Sequence, residues 1–533
     1  MTTTDHVPTD TASPDLPGAS RSAGRARPAA LAAGGGLVLA AAFPPLGWWP
    51  LAFVGPAMLL LVLRDRRPRA AFGLGTVFGL AFFGPLLLWL TNLGVLPWAA
   101  LVLVQALLLG ASSCAVPPLT RLRGWPLWTA AWWVAVEAVR SRVPLGGFPW
   151  GRLAFSQADA PTLGWAAVGG APAVSALVAL TAACLAALLL RLRQQHRPPS
   201  TGARAVRAPA VALLAAVAAT TAGTLFVPSA SGDGQERATV AVVQGNVPRG
   251  RSVEEQARVR QVADNHIAAT RELADAIRTG DAPQPDLVLW PENATDRDPR
   301  TDPDLREGIN RAAAEVGAPI VVGAILDAPD NRIRNTSLLW TPENGPGPYS
   351  AKQQLVPFGE YIPARWLLGS FGDLQLVPRD FVPGDGPVRL DAGPVRLATS
   401  ICYEVAYDGQ VRDAVRTGAN LLAVPTNNAT YMRNGSVAEP EQQLAMSRLR
   451  AVEHGRATLV ASTTGISAIV APDGTVTAAT GLWTRDVLTA SVPLNTDTTT
   501  ATRLGPLPEA AITLTATIAL ALAVHCTRAA TRK

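Results

Sequence analysis

Three stretches place reactive groups where apolar, strand-like runs end: Glu292 in "LVLWPEN", Lys352 in "YSAKQQL" and Cys402 in "RLATSICYE". A thiol becomes a nucleophile when a base takes its proton, and a carboxylate whose pKa is raised by burial can be that base. Attack on an ester or amide carbonyl then develops an oxyanion, which a compact ammonium can face. The chain has only two lysines, Lys352 and Lys533, among 46 basic residues. A lysine kept where the rest of the sequence writes arginine marks a position that a planar, forked guanidinium does not fit.

Each residue alone has an ordinary explanation. A glutamate after a strand is commonly a solvated turn residue, and a cysteine on an apolar strand is commonly core. The three as a set favour chemistry. A cysteine–histidine pair is the competing scheme, with His266 or His454 supplying the imidazole, but neither has a motif around it. Cys114, Cys184 and Cys526 lie in apolar stretches, and no second cysteine accompanies Cys402, so neither a disulfide framework nor a CxxC metal site is supported. No metal or nucleotide motif is present, so no cofactor is expected.

These groups need a rigid frame to aim them. "RATVAVVQGNV", "PDLVLWPENA", "APIVVGAILD", "NTSLLW", "GPYSAKQQL", "PVRLATSICYEV" and "GANLLAVPTNN" read as strands. Residues 252–278 and "EPEQQLAMSRLRAVEHGRA" read as helices, and "TLVASTTGISAIVAPDGTV" as a hairpin turning at Asp473 and Gly474. Such alternation predicts a layered α/β domain.

The rest of the chain is too apolar for an ordinary soluble enzyme, with 48% hydrophobic residues, 16% charged and a mean hydropathy of +0.20. Apolar runs lie at about 28–44, 47–63, 70–91, 96–117, 125–139, 164–190, 208–227 and 507–526. Arginines gather before the first run and after the second, fourth, sixth and eighth, while "PPLGWW" and "TNLGVLP" carry no basic residue. By the positive-inside rule, both termini are cytoplasmic and the polar block is outside. The net charge of +6 is then a matter of topology, with no nucleic-acid partner implied. The expected organisation is a disordered cytoplasmic arm at 1–27, seven transmembrane helices within 28–227, a catalytic domain at 228–506, a transmembrane helix at 507–526 and a cytoplasmic tail at 527–533. One loop disobeys, carrying Arg140, Arg142 and Arg152 on the outer side, and Glu137 is an acid near the end of a span. The first run also resembles a cleavable signal peptide.

"WPEN" at 290–293, "KQQLVPFGEYIP" at 352–363 and "ICYE" at 401–404 resemble the nitrilase superfamily. "GGFPWGRLAFSQ" at 146–157, "VVQGNVP" at 242–248 and the flanking apolar runs narrow the resemblance to its membrane-embedded branch, the apolipoprotein N-acyltransferase family. It covers nearly all of the chain after the N-terminal arm. The fold it implies is a multi-pass α-helical membrane domain plus an extracytoplasmic α/β nitrilase-like αββα sandwich, in the cytoplasmic membrane of a bacterium.

The resemblance implies Glu292 as general base, Lys352 as transition-state stabiliser and Cys402 as the acyl-accepting nucleophile. Glu360 matches a second essential glutamate beside them, Tyr403 and Glu404 match the residues after the cysteine, and Glu453 matches a structural glutamate on a late helix. The backbone N–H of Tyr403 would be a second oxyanion donor. The implied reaction moves an acyl chain from a membrane phospholipid, through a cysteine thioester, to the α-amino group of the diacylglyceryl-modified N-terminal cysteine of apolipoproteins. Trp48, Trp49 and the "GGFPW" loop are interface-type residues that would either line the lipid entrance or form an anchoring belt. The chain departs from the pattern in "TNNATYMRNG", where relatives tend toward Asp and Trp at the positions of Asn428 and Thr430. A membrane-tethered carbon–nitrogen hydrolase using the same triad, and a transporter or scaffold with a degenerate outer domain, are the alternatives.

Overall fold

The computed structural model describes residues 19–195, 204–229, 235–248, 255–368, 379–433 and 435–531. Its N-terminal half is helical: α1 (Ala19–Ala40), α2 (Leu51–Leu63), α3 (Pro68–Leu86), α4 (Val95–Ser113), α5 (Trp125–Arg140), α6 (Ala166–Gln195) and α7 (Arg204–Thr221). Backbone angles break α6 at Gly169 and Gly170. Small residues bring these helices together. A Cβ on Gly79 of α3 would lie 2.6 Å from the Ala106 Cα of α4, and one on Gly36 of α1 would lie 2.4 Å from the Phe78 carbonyl oxygen. Close backbone approach of this kind is how apolar helices associate when lipid gives no hydrophobic drive.

Residues 1–18 of the expected arm at 1–27 and residues 532–533 of the expected tail lie outside the described residues, and Ala19 already begins α1. Arginine and alanine both favour helix, but the arginines and serines of "ASRSAGRAR" keep the stretch from reading as apolar, so hydropathy places the helix start later. Among the described residues, five helices are long and apolar enough to cross a membrane: Pro68–Leu86, Val95–Leu119, Pro161–Gln194, Val206–Phe226 and Leu507–Ala529. The helices over the other three apolar runs, α1, α2 and α5, fall short in apolar length or hydropathy.

The polar block folds as two six-stranded sheets. The first is built from β1 (Arg237–Gln244), β2 (Leu287–Leu289), β3 (Ile320–Ala328), β4 (Arg332–Thr341) and β5 (Gly345–Ala351). The second contains β6 (Leu390–Ala392), β7 (Val395–Thr399), β8 (Leu421–Thr426), β9 (Thr458–Ser462), β10 (Ala468–Val470) and β11 (Val476–Ala479), and β12 (Asp486–Pro493) returns to the first. The strand orders are β12-β1-β2-β3-β4-β5 and β11-β10-β9-β8-β7-β6. In both sheets two parallel pairings, β1/β2/β3 and β7/β8/β9, are flanked by antiparallel ones.

Val240, Val242, Leu287 and Leu289 of the first sheet share one apolar layer with Leu397, Leu421, Ala423 and Leu459 of the second. The outer face of the first sheet is covered by α8 (Glu255–Thr279) and α9 (Pro303–Val316). The start and stop of α9 follow its sequence, with Asp302 accepting from the Leu305 N–H, Pro303 at the first helical position and Gly317 left-handed at the end. The second sheet is covered by α10 (Asp408–Arg416) and α11 (Ala438–His454). This is an αββα sandwich. The last helix, α12 (Leu507–Thr531), packs its Ala516 against Ala131 and Ala135 of α5.

Helix α11 is the hinge of the architecture. Its Met446, Leu449 and Val452 belong to the same apolar cluster as Ala166, Ala171 and Val174 of α6 and as Val424 and Val460 of the second sheet. Squeezed between bundle and sheet, it buries even its polar residues, among them Gln442, Gln443, Arg450 and Glu453.

Candidate active site

Lys352 directly follows β5, Glu292 lies just beyond the carboxyl end of β2, and Cys402 lies just beyond that of β7. Carboxyl ends of parallel strands are where α/β sheets hold ligands, because loops there can splay over a fixed edge. Cys402 has φ of +54°, a left-handed value costly for a residue with a Cβ, and opens a short 3-10 turn, Cys402–Ala406. The sandwich brings the three groups together, Glu292 and Lys352 buried and Cys402 half-buried.

Lys352 Nζ is 3.1 Å from Glu292 Oε1 and 2.9 Å from Glu360 Oε1. Asn335 closes the ring, its Nδ2 donating to the same two oxygens at 2.6 and 3.1 Å. The remaining carboxylate oxygens accept from backbone, Glu292 Oε2 from the Asn427 N–H at 3.0 Å and Glu360 Oε2 from the Val356 N–H at 2.8 Å. Burial disfavours the ammonium, yet Glu292 and Glu360 outweigh it and hold the Lys352 pKa well above its usual value. Lys352 therefore stays charged. Burial, with the charge of Glu292, pushes the Cys402 thiol far up while Lys352 pulls the other way. The resting sulfur is a thiol.

Glu404 braces the two strand ends. Its Oε1 accepts from the N–H groups of Gln353 and Gln354 at 2.6 and 3.0 Å, and its Oε2 from the Ile401 N–H at 2.7 Å. One carboxylate thus ties the lysine strand to the cysteine turn. Tyr403 points the other way, donating to the Gly147 carbonyl at 3.1 Å and stacking on Phe148 and Trp150. The "GGFPW" segment is therefore a wall behind the Cys402 turn.

The rival imidazoles are engaged elsewhere: His266 Nδ1 meets the Val262 carbonyl oxygen and His454 Nδ1 meets Thr502 Oγ1. Burial pushes His266 down to about 4. Residues that the sequence reading did not single out are Asn335, Gln443, whose Nε2 is 3.7 Å from Cys402 Sγ, and the buried Glu439. The available signal was polarity in buried runs, asparagine in "IRNTSLLW" and glutamines in "EPEQQLAM".

A second buried charge cluster joins bundle to sandwich. Arg152 Nη1 donates to both carboxylate oxygens of Asp408 at 2.8 Å, and Arg450 reaches Asp408 at 2.8 Å as well as Glu453. Arg450 also donates to the carbonyls of Val405 and Ala406 at 2.8 and 3.1 Å, holding the far end of the Cys402 turn. Glu137 Oε2 lies 3.7 Å from Arg152 Nε, and Arg140 donates to Gln105 and to the Trp150 carbonyl. Arg142 pairs with Glu509. Of the arginines that break the charge rule, Arg142 and Arg152 thus pair with carboxylates of other elements, and Arg140 is held by an amide and a backbone carbonyl. Gln442 pins the same joint: its oxygen accepts from the indoles of Trp89 and Trp150, and its nitrogen donates to the carbonyls of Pro44 and Leu86.

A two-sheet sandwich with carboxylate, ammonium and thiol at adjoining strand ends places residues 239–502 in the nitrilase-like class, and they match the carbon–nitrogen hydrolase family model. Residues 35–184 match the apolipoprotein N-acyltransferase N-terminal domain. The chain is 42% identical to the apolipoprotein N-acyltransferase of Mycolicibacterium smegmatis, over 94% of this chain and 86% of that one. It is 32% identical to the protein of the same name from Pseudomonas syringae pv. tomato, over 87% of this chain and 90% of that one. This chain belongs to the apolipoprotein N-acyltransferase family, and it is a membrane protein. Among solved structures, the Nesterenkonia AN1 amidase from the nitrilase superfamily aligns with a TM-score of 0.36 at 21% identity, covering 51% of this chain and 95% of that one.

Proposed function

We propose that the chain moves an acyl group from a membrane phospholipid to the α-amino group of the diacylglyceryl-modified N-terminal cysteine of apolipoproteins, with Glu292, Lys352 and Cys402 as its catalytic residues. Glu292 takes the thiol proton as the sulfur attacks the ester carbonyl; because the thiol is held protonated at rest, proton transfer and attack belong to one step. Lys352 Nζ and the Tyr403 N–H face the oxyanion. Collapse expels the lysophospholipid oxygen, which leaves with the proton held by Glu292, and a thioester remains. The acceptor amine attacks next, losing its proton to Glu292, and the thiolate departs and is reprotonated.

Glu360 and Asn335 support this by fixing Lys352 and Glu292 against each other, Glu404 by bracing the two strand ends, and Tyr403 by docking the nucleophile turn on the bundle. No cofactor takes part in the scheme. The chain would cross the bacterial cytoplasmic membrane eight times, in the segments 28–227 and 507–526, with residues 228–506 outside and 527–533 inside.

The observation that carries the reading is the seating of the Cys402 turn on Phe148 and Trp150 of the helical half. Such a seat gives a thioester an apolar approach shared with lipid substrates and shields it from water. The test is to supply purified protein with a phospholipid and a diacylated lipopeptide. N-acylated lipopeptide, with negligible release of free fatty acid, supports the transferase; hydrolysis of small amides without lipopeptide acylation supports a tethered hydrolase instead.

A further inference from the structure

The sulfur of Cys402 has one neighbour that the scheme above leaves idle. Gln443 Nε2 lies 3.7 Å from Cys402 Sγ, and the amide is buried on α11. An amide can face a sulfur with either end, and the direction decides whether it opposes or favours negative charge there. Here the direction follows from a chain of hydrogen bonds that runs inward from a backbone group. The Gly465 N–H donates to Ser462 Oγ at 2.8 Å, and the Ser462 hydroxyl donates to Asn428 Oδ1 at 2.6 Å. That sets the Asn428 amide. Its Nδ2 then donates to Glu439 Oε2 at 2.7 Å and to Gln443 Oε1 at 3.1 Å. With its oxygen taken, Gln443 can only present N–H to the sulfur.

The relay is enclosed and tight. Asn428, Glu439, Gln443 and Ser462 are all buried, and a Cβ on Gly465 would fall 2.3 Å from Asn428 Oδ1. Glu439 Oε2 accepts from Asn428 Nδ2 with or without a proton on the other oxygen, and so fits the same orientation of Asn428. The departure from the family pattern at Asn428 lies at the centre of this chain of bonds.

We propose that Gln443 is a further catalytic residue of this site, donating its amide N–H to the Cys402 sulfur, and that Asn428, Glu439 and Ser462 are positioning residues that hold it in that sense. The bond strengthens as the sulfur gains charge, when Glu292 takes the thiol proton and again when thiolate leaves the second tetrahedral intermediate. The other groups facing the sulfur are Glu292 beyond β2, Lys352 beyond β5, Thr426 at the end of β8, Tyr431 in the following loop and Glu439 on α11. This inference rests on Cys402 being the nucleophile, and the test separates the two.

The experiment follows alkylation of Cys402 by iodoacetamide against pH in the full-length, detergent-solubilised chain, read by mass spectrometry of its peptide, alongside thioester formation from phospholipid. Gln443→Met keeps the volume and removes the donor. It is expected to raise the alkylation midpoint by about one pH unit and to slow thioester formation about tenfold. Asn428→Leu keeps the volume, adds no charge and removes the donor that occupies Gln443 Oε1, so the Gln443 amide is released to turn; the shift is expected in the same direction. Gly465→Ala, which displaces Asn428, is expected to act in the same direction.

Variants that fold, shown by unchanged thermal unfolding, yet keep midpoint and rate within about twofold of the parent overturn the relay. A lowered unfolding temperature with an unmoved midpoint also overturns it, since that is what mere packing would give. Acyl transfer surviving in Cys402→Ala would defeat the nucleophile assignment, while the alkylation midpoints would still decide the contact between Gln443 and the sulfur.

Discussion

Two buried charge clusters lie on opposite sides of the Cys402 turn, and they are built differently. The joint between bundle and sandwich uses arginine: Arg450 forks onto Asp408, Glu453 and two backbone carbonyls, and Arg152 meets Asp408 through one nitrogen. The reactive cluster uses Lys352, set between Glu292 and Glu360. A guanidinium's fixed fork holds several acceptors in one geometry, which suits a permanent joint. An ammonium is a compact charge that two carboxylates can hold while an oxyanion forms beside it. The lone lysine of the described residues stands where a charge must serve a changing partner.

The contrast can be broken from either side. Lys352→Arg should bring the fork into the reactive cluster and lower lipopeptide acylation by about 10²–10³, the size of losing an oxyanion donor, while the protein still folds. Acylation assays on folded variant check this, and near-normal activity would remove the distinction. On the joint side, Arg450 is fully buried. Arg450→Met should strand Glu453, leave Asp408 to Arg152 alone and cost about 3–5 kcal/mol of stability, measured by denaturant or thermal unfolding in detergent.

A smaller effect sharpens the comparison through pH. Burial, with the charge of Glu292, pushes the Glu439 carboxyl up to about 8, against the pull of its Asn428 hydrogen bond. From the ordinary carboxyl range up to that value, the folded chain keeps a proton that the unfolded chain has released. Stability from this group is therefore full at low pH and falls as pH rises through the window, by up to about 1.4 kcal/mol per pH unit. Unfolding temperatures of Glu439→Gln across that range should show a flatter slope than the parent. The least change is expected at Arg142, whose side chain is 60% exposed in its pair with Glu509. Arg142→Ala should shift stability by less than about 1 kcal/mol in the same unfolding assay.

Much of this site could be read from the sequence because its key groups follow strands that announce themselves. "LVLWPEN" and "RLATSICYE" show an apolar run, then the reactive residue, and the sheets bring those ends together. Asn335 was hidden because its role depends on register: the last β4/β5 pair, Thr336 with Ala351, sets Lys352 beside it. Gln443 and Glu439 were hidden because α11 reads as a half-exposed helix, whereas the bundle covers its second side. Two of the stray arginines, Arg142 and Arg152, looked like an exception to membrane topology until Glu509 and Asp408, distant in the chain, supplied their partners.

The central claim is that Cys402, seated between these two clusters, carries the acyl group. Parent and Cys402→Ala proteins incubated with a phospholipid of known acyl chains, then examined by intact and peptide mass spectrometry, test it directly. The account predicts a hydroxylamine-sensitive gain of one acyl mass on the Cys402 peptide, absent from the variant, and transferred on adding a diacylated lipopeptide. An adduct of equal yield in Cys402→Ala, or lipopeptide acylation without Cys402, would contradict it.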